Sequence, residues 1–192
     1  MNKIILQGQY EKKYKNGDAY FAVIATSAFS PKTSFVHVRV TKQQWEELNT
    51  KQLKSTLGIT GYIYHSNVLT TQLHINGIRL LNQFSSYPNL LNSAYQDLNS
   101  ADIAGEVKTV ENLGKNRMLL KIRTERGMVN VIVFCTFGVY VGDFVHVVAS
   151  IQSYFQSLKA QPHKHKHKQG VVALDIHKEK SVFSKKDISL LS

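Results

Sequence analysis

Asn2-Lys3-Ile4-Ile5-Leu6-Gln7-Gly8 opens the chain, and Asp102-Ile103-Ala104-Gly105-Glu106-Val107 opens it a second time. Each stretch alternates side chains across a strand and contains a glycine. Each heads a set of short alternating segments, the first running to Leu81 and the second to Val182. Two β-rich strands follow in each set. A fourth strand is led by glycine (Gly58 to His65; Gly142 to Tyr154), and a last one runs from Thr71 to Leu80 or from Gly170 to His177.

Five strands per half is the count of a small Greek-key barrel of the OB type, a fold that holds oligonucleotides. The sequence therefore predicts an all-β chain with minor helix, built as two tandem five-stranded OB-fold barrels. They occupy residues 1–82 and 102–183, with a linker at 83–101 and a tail at 184–192.

Asn16-Gly17 supplies the first hairpin turn and Leu113-Gly114-Lys115-Asn116 its counterpart. Between them and the third strands lie the second strands, the first of which spans Ala19 to Thr26. In the third strand, Ser34 to Val40, Val36, Val38 and Val40 point one way and Phe35, His37 and Arg39 the other. Thr41 can cap a helix over Lys42 to Leu53, whose stripe of Trp45, Leu48 and Leu53 plugs the open end of the first barrel. The second half has only Thr136 to Val141 at that point, too short for a plug helix. Residues 82–101, rich in Asn, Ser, Gln and Tyr, read as a linker with a helical turn around Leu90 to Leu98.

The net charge of +11 points to a polyanionic partner. It is shared evenly: 10 Lys and Arg stand against 5 Asp and Glu in residues 1–98, and 14 against 8 in residues 99–192. The lone Cys135 lies in an apolar run and reads as a small core residue in a reducing compartment. No apolar run is long enough to span a membrane, so the expectation is a soluble, cytoplasmic protein.

An OB barrel holds its ligand across strands two and three, where bases stack on aromatic rings and cations track phosphates. On the first half this selects Phe35, His37 and Arg39, with Tyr20 from the second strand and Tyr62 and Tyr64 from the fourth. On the second half Arg117, Lys121 and Arg123 share one face of a strand, extended by Asn130 and Phe134. That face is richer in cations than in rings and suits backbone contact. Pro162-His163-Lys164-His165-Lys166-His167-Lys168 reads as a flexible cationic loop between the last two strands, adding Lys164, Lys166 and Lys168. Its alternate histidines could converge on an ion, but no acidic or cysteine ligand is near, and neither metal nor cofactor is expected.

Catalysis finds no support. There is no phosphate-binding Gly-rich loop with Lys and Ser or Thr, no zinc-spaced Cys pair and no close carboxylate pair apart from Glu46-Glu47, adjacent on the expected helix and facing apart.

The first half resembles the bacterial-type single-stranded DNA-binding protein family. The resemblance rests on Met1 to Gly8, on Ala22-Val23-Ile24-Ala25-Thr26, on Thr33-Ser34-Phe35-Val36-His37-Val38, and on Gly61-Tyr62-Ile63-Tyr64 followed by Leu73 to Leu81. It implies a base-stacking role for the aromatic at Phe35. Members of that family usually carry one barrel and assemble four, so two barrels here imply a monomer or a dimer. The acidic, Phe-terminated tip common in the family is replaced by Lys185 to Ser192, and a plasmid, conjugative-element or phage origin fits such departures.

The expected function is sequence-independent binding of single-stranded DNA in replication, recombination or transfer. Two alternatives stay open: an RNA-binding pair of barrels, or an adaptor in which the 102–183 barrel docks a protein or another copy.

Overall fold

In a computed structural model the described residues are 1–27, 33–51, 53, 55–65, 73–81, 98–134, 138–158 and 161–179, with the backbone alone at 64–65, 73–81, 154–158 and 161–168. They form ten strands: β1 (Asn2–Asn16), β2 (Ala19–Thr26), β3 (Ser34–Val40), β4 (Thr56–His65), β5 (Leu73–Leu81), β6 (Leu98–Gly114), β7 (Arg117–Thr124), β8 (Gly127–Val133), β9 (Phe144–Leu158) and β10 (Gln161–Lys178). One helix, α1 (Lys42–Glu47), and a 3-10 turn (Leu48–Thr50) complete them.

The first strand of each half changes partner part-way. Residues Ile4 to Gln9 of β1 pair with β4 and Gln9 to Asn16 with β2; Ala101 to Glu106 of β6 pair with β9 and Glu106 to Gly114 with β7. Such a strand must bend hard across its neighbour, and a glycine sits at each bend. A Cβ on Gly8 would strike the carbonyl oxygen of Ala25, and one on Gly105 that of Arg123. Only hydrogen fits there.

The second set closes on itself: β6–β7–β8–β10–β9–β6, with β8 and β10 parallel through Val171–Val131 and Val172–Ile132. The first set runs β3-β2-β1-β4-β5 in the same chain-order logic, and β5 returns alongside β3. This is the OB strand order. The β6–β7 turn places Lys115 and Asn116 at φ of 52° and 57°, the paired left-handed geometry of a tight hairpin.

A further device occurs twice. Buried Asn2 donates to the carbonyl of Ile63 (2.6 Å) and accepts from its amide (2.9 Å); buried Asn99 does the same to Ile151, at 2.8 Å both ways. The two halves are joined by an antiparallel ladder in which Ile4 faces Ala101. Each of these stands two residues after its asparagine, so equivalent positions face each other across a local two-fold axis. One buried cluster, including Ile4, Leu6, Ala101 and Ile103, carries residues of both halves.

Several expectations need correction. The helix ends at Glu47 rather than Leu53, its last turn tightening to 3-10 as Thr50 donates its hydroxyl to the Glu47 carbonyl. Thr41 caps it in a full capping box with Gln44. Leu48 is buried and Trp45 packs against the core, whereas Leu53 is 58% exposed and no part of the plug. In the second half Val139, between β8 and β9, is buried in the core cluster. Leu98 to Ala101, expected in the linker, already belong to β6 because their backbone finds partners in β1. The segment Pro162 to Lys168 is strand, not a loop: Lys166 pairs with Gln156 and Lys168 with Tyr154 in a long β9–β10 hairpin. The expected helical turn around Leu90–Leu98, Cys135 and the 184–192 tail lie outside the described residues, Leu98 apart.

Candidate nucleic-acid interface

Register decides which side chains share a face. Phe35 stands opposite Ala25, His37 opposite Val23 and Arg39 opposite Phe21, so these six lie on the outer face of β2 and β3. The partners of Val36, Val38 and Val40 are Ile24, Ala22 and Tyr20, which face the core. Tyr20, expected on the outer face, is therefore on the inner one, its ring 5.4 Å from that of Trp45. Phe21 occupies the outer position instead.

The outer face also carries a side chain from β1. Tyr14 of β1 stacks on Phe21 at 5.0 Å and 11°, and its hydroxyl lies 2.7 Å from His37 Nδ1. Burial pushes the Tyr14 phenol up. The register Tyr14–Phe21 that builds this pair was concealed by an irregularity between Tyr10 and Lys12 in β1, which reverses the alternation. Phe35 and His37 are half-buried, and Arg39 is exposed. The β9–β10 hairpin contributes to their surroundings: the Phe35 amide donates to Ser153 Oγ (2.8 Å), and Gln169 bonds both backbone groups of His37.

On the second half Arg117, Lys121 and Arg123 do share the outer face of β7, with Leu120 and Ile122 fully buried behind them. Lys121 stands opposite Asn130. Asn130 is buried, and among the described residues its Oδ1 has no hydrogen-bond partner. Phe134, just past the end of β8, is 60% exposed. Arg123 lies 3.7 Å from Glu106, whose carboxyl is held below the usual carboxylate range by Lys108 first and Arg123 after it. Arg123, one of the three cations of this face, is thus partly neutralised already.

The side chains of Tyr64, Lys164, Lys166 and Lys168 lie outside the described residues. Tyr62 is described. Arg126, in the β7–β8 turn of the other half, sits 4.5 Å over its ring. Tyr62, Tyr20 and Arg39 come together in one open cleft of about 470 Å³ at the end of β2 and β3. Three residues identified separately in the sequence are therefore neighbours, although Tyr20 reaches the cleft from the inner face and Arg39 from the outer one.

No family model matches the chain, and no curated protein matches it in sequence. Its backbone does have solved counterparts. The wild-type single-stranded DNA-binding protein from Thermus aquaticus superposes with a TM-score of 0.58 at 12% identity, covering 96% of this chain and 95% of that one. The chain shares the all-β, OB-type fold of that structure. A deletion mutant of the same Thermus aquaticus protein gives a TM-score of 0.57 at 13% identity, over 96% and 97% of the two chains. The likeness to this fold extends across both five-stranded sets, beyond the first half on which the sequence resemblance rested. Among the described residues no helix is long and apolar enough to cross a membrane.

Proposed function

We propose that the protein binds single-stranded DNA with little sequence preference, as a binding protein and not an enzyme. The observation that carries the reading is a whole-length OB-type fold of the single-stranded DNA-binding kind joined to a positive charge shared by both halves. The strand would cross the outer face of β2 and β3, stacking on Phe35 and neutralised at Arg39, with His37 beside it. It would continue over Arg117, Lys121 and Arg123, with Phe134 at the margin of that face. Residues 1–82 and 102–183 would act as two binding domains in one chain, which can serve as a monomer or pair into a dimer. Lys164, Lys166 and Lys168 would add cations along β10. Replication, recombination or the transfer of DNA as a single strand, in the cytoplasm, are the processes this activity would serve.

Fluorescence anisotropy of a labelled oligo-dT, titrated at two salt concentrations, tests the reading. Binding at micromolar or tighter that weakens with salt and resists duplex competitor is the expected outcome. Equal competition by duplex, or indifference to salt between roughly 50 and 200 mM, would overturn it. A matched RNA competitor separates DNA from RNA, since contacts to the 2′-hydroxyl distinguish them.

A further inference from the structure

The cleft at the end of β2 and β3 is built from three kinds of group. Tyr20 and Tyr62 bring rings, Arg39 and Lys42 bring cations, and Asp18 and Thr41 bring oxygen atoms. Its volume of about 470 Å³ is in the range of small-molecule sites. Each ring is supported from outside: Lys15 Nζ lies 5.4 Å from the Tyr20 ring centre, Trp45 packs on Tyr20, and Arg126 covers Tyr62. Among the described residues Arg39 makes no ion pair, and Lys42 reaches only the exposed Glu46 at 3.9 Å.

We propose that this cleft is a pocket for one nucleotide. Its base would stack on the tyrosines, its phosphate would lie on Arg39 and Lys42, and Asp18 would accept from a base amine or sugar hydroxyl. Stacking and charge-assisted contact are the two terms that bind single strands, and here they meet in one concavity. The position gives the pocket its role. Phe35, His37 and Arg39 step along β3 about 7 Å apart, and Arg39 is the last of them. A strand following that row would therefore lay one of its nucleotides in the cleft. This rests on the single-strand reading above.

Trp45 is the only tryptophan in the chain and touches Tyr20, so it reports on the pocket directly. Trp45 fluorescence is titrated with dTMP, dAMP, thymidine and inorganic phosphate, and oligo-dT binding is measured in parallel. The expected result is a saturable change with both nucleotides in the millimolar range or below, with thymidine and phosphate each weaker. Arg39→Ala with Lys42→Ala should weaken dTMP at least about tenfold, two charge-assisted contacts being lost. Both side chains are exposed, and thermal melting checks that the variant folds. No saturable change with either nucleotide, while oligo-dT still binds, would overturn the pocket and leave the strand reading standing. Phosphate binding as well as dTMP would also overturn it, leaving an anion site. Nucleotide binding without oligo-dT binding would support the pocket and remove the strand reading.

Discussion

Gln169 lies against the backbone of His37, accepting from its amide at 2.8 Å and donating to its carbonyl at 2.9 Å. A side-chain amide from β10 thus acts as a one-residue strand against β3, tying the second half to the candidate binding face of the first. Replacing it with alanine removes both bonds and uncovers two backbone groups. Gln169→Ala should lower stability by about 1–3 kcal/mol in denaturant unfolding. It should also speed hydrogen exchange at the His37 amide more than at Val36 or Val38, which a loss spread over the whole fold would not do.

The paired asparagines permit an internal control. Asn2 and Asn99 are equally buried, at 4% exposure, and make the same two bonds to a fourth strand. Asn99→Ala should cost about 2–4 kcal/mol, since it orphans the amide and carbonyl of Ile151 in the core. Asn99→Asp should be at least as harmful, because a carboxylate keeps the acceptor, loses the donor and buries a charge. Unfolding curves of the two variants against Asn2→Ala check both statements.

These asparagines also mark how far the sequence could be read. The strands of the first three elements were legible to the residue at β2 and β3, because turn glycines and clean valine alternation fix them. The outer face was half legible. Phe35, His37 and Arg39 follow from parity within one strand, but setting Tyr14 beside them and Tyr20 on the opposite face needs the register between strands. One irregularity in β1 reverses that parity. The Lys-His segment misled for another reason: its polar composition resembles a loop, whereas its pairing with β9 depends on residues many positions away. The contacts of Gln169 with His37, 132 residues apart, leave no local signal at all.

The bend glycines should tolerate nothing larger. Gly8→Ala and Gly105→Ala each drive a Cβ into a backbone carbonyl that cannot move without opening the ladder. Each should destabilise by about 3 kcal/mol or more, an exceptional loss for one methyl group. A melting temperature within a degree or two of the wild type for either variant would refute the close approach.

Asp143 links the β8–β9 connection to the last residue of β10. Its Oδ2 accepts from Lys178 Nζ and from the Tyr140 amide, both at 2.7 Å. The Lys178 contact first, and the Tyr140 amide second, hold this carboxyl below the usual range. A depressed folded value contributes stability above the unfolded value near 4, and that contribution is lost as pH falls through the folded one. Asp143→Asn should therefore destabilise at pH 7 and converge with the wild type in acid. Parallel unfolding curves from pH 2 to pH 7 measure the convergence.

The two halves should contribute to DNA binding in separable ways. Phe35→Ala removes a stacking surface without a charge, so it should weaken oligo-dT by about 1–3 kcal/mol and leave the salt slope unchanged. Lys121→Ala removes a cation that makes no ion pair among the described residues, and should reduce the slope of log K against log salt by about 0.7. Arg123→Ala should reduce it by less, because Glu106 already neutralises part of that charge in the free protein. Glu106→Gln releases Arg123 and should steepen the slope. Anisotropy titrations over a salt series measure all four, and an unchanged slope in Lys121→Ala would take the second half out of the strand's path.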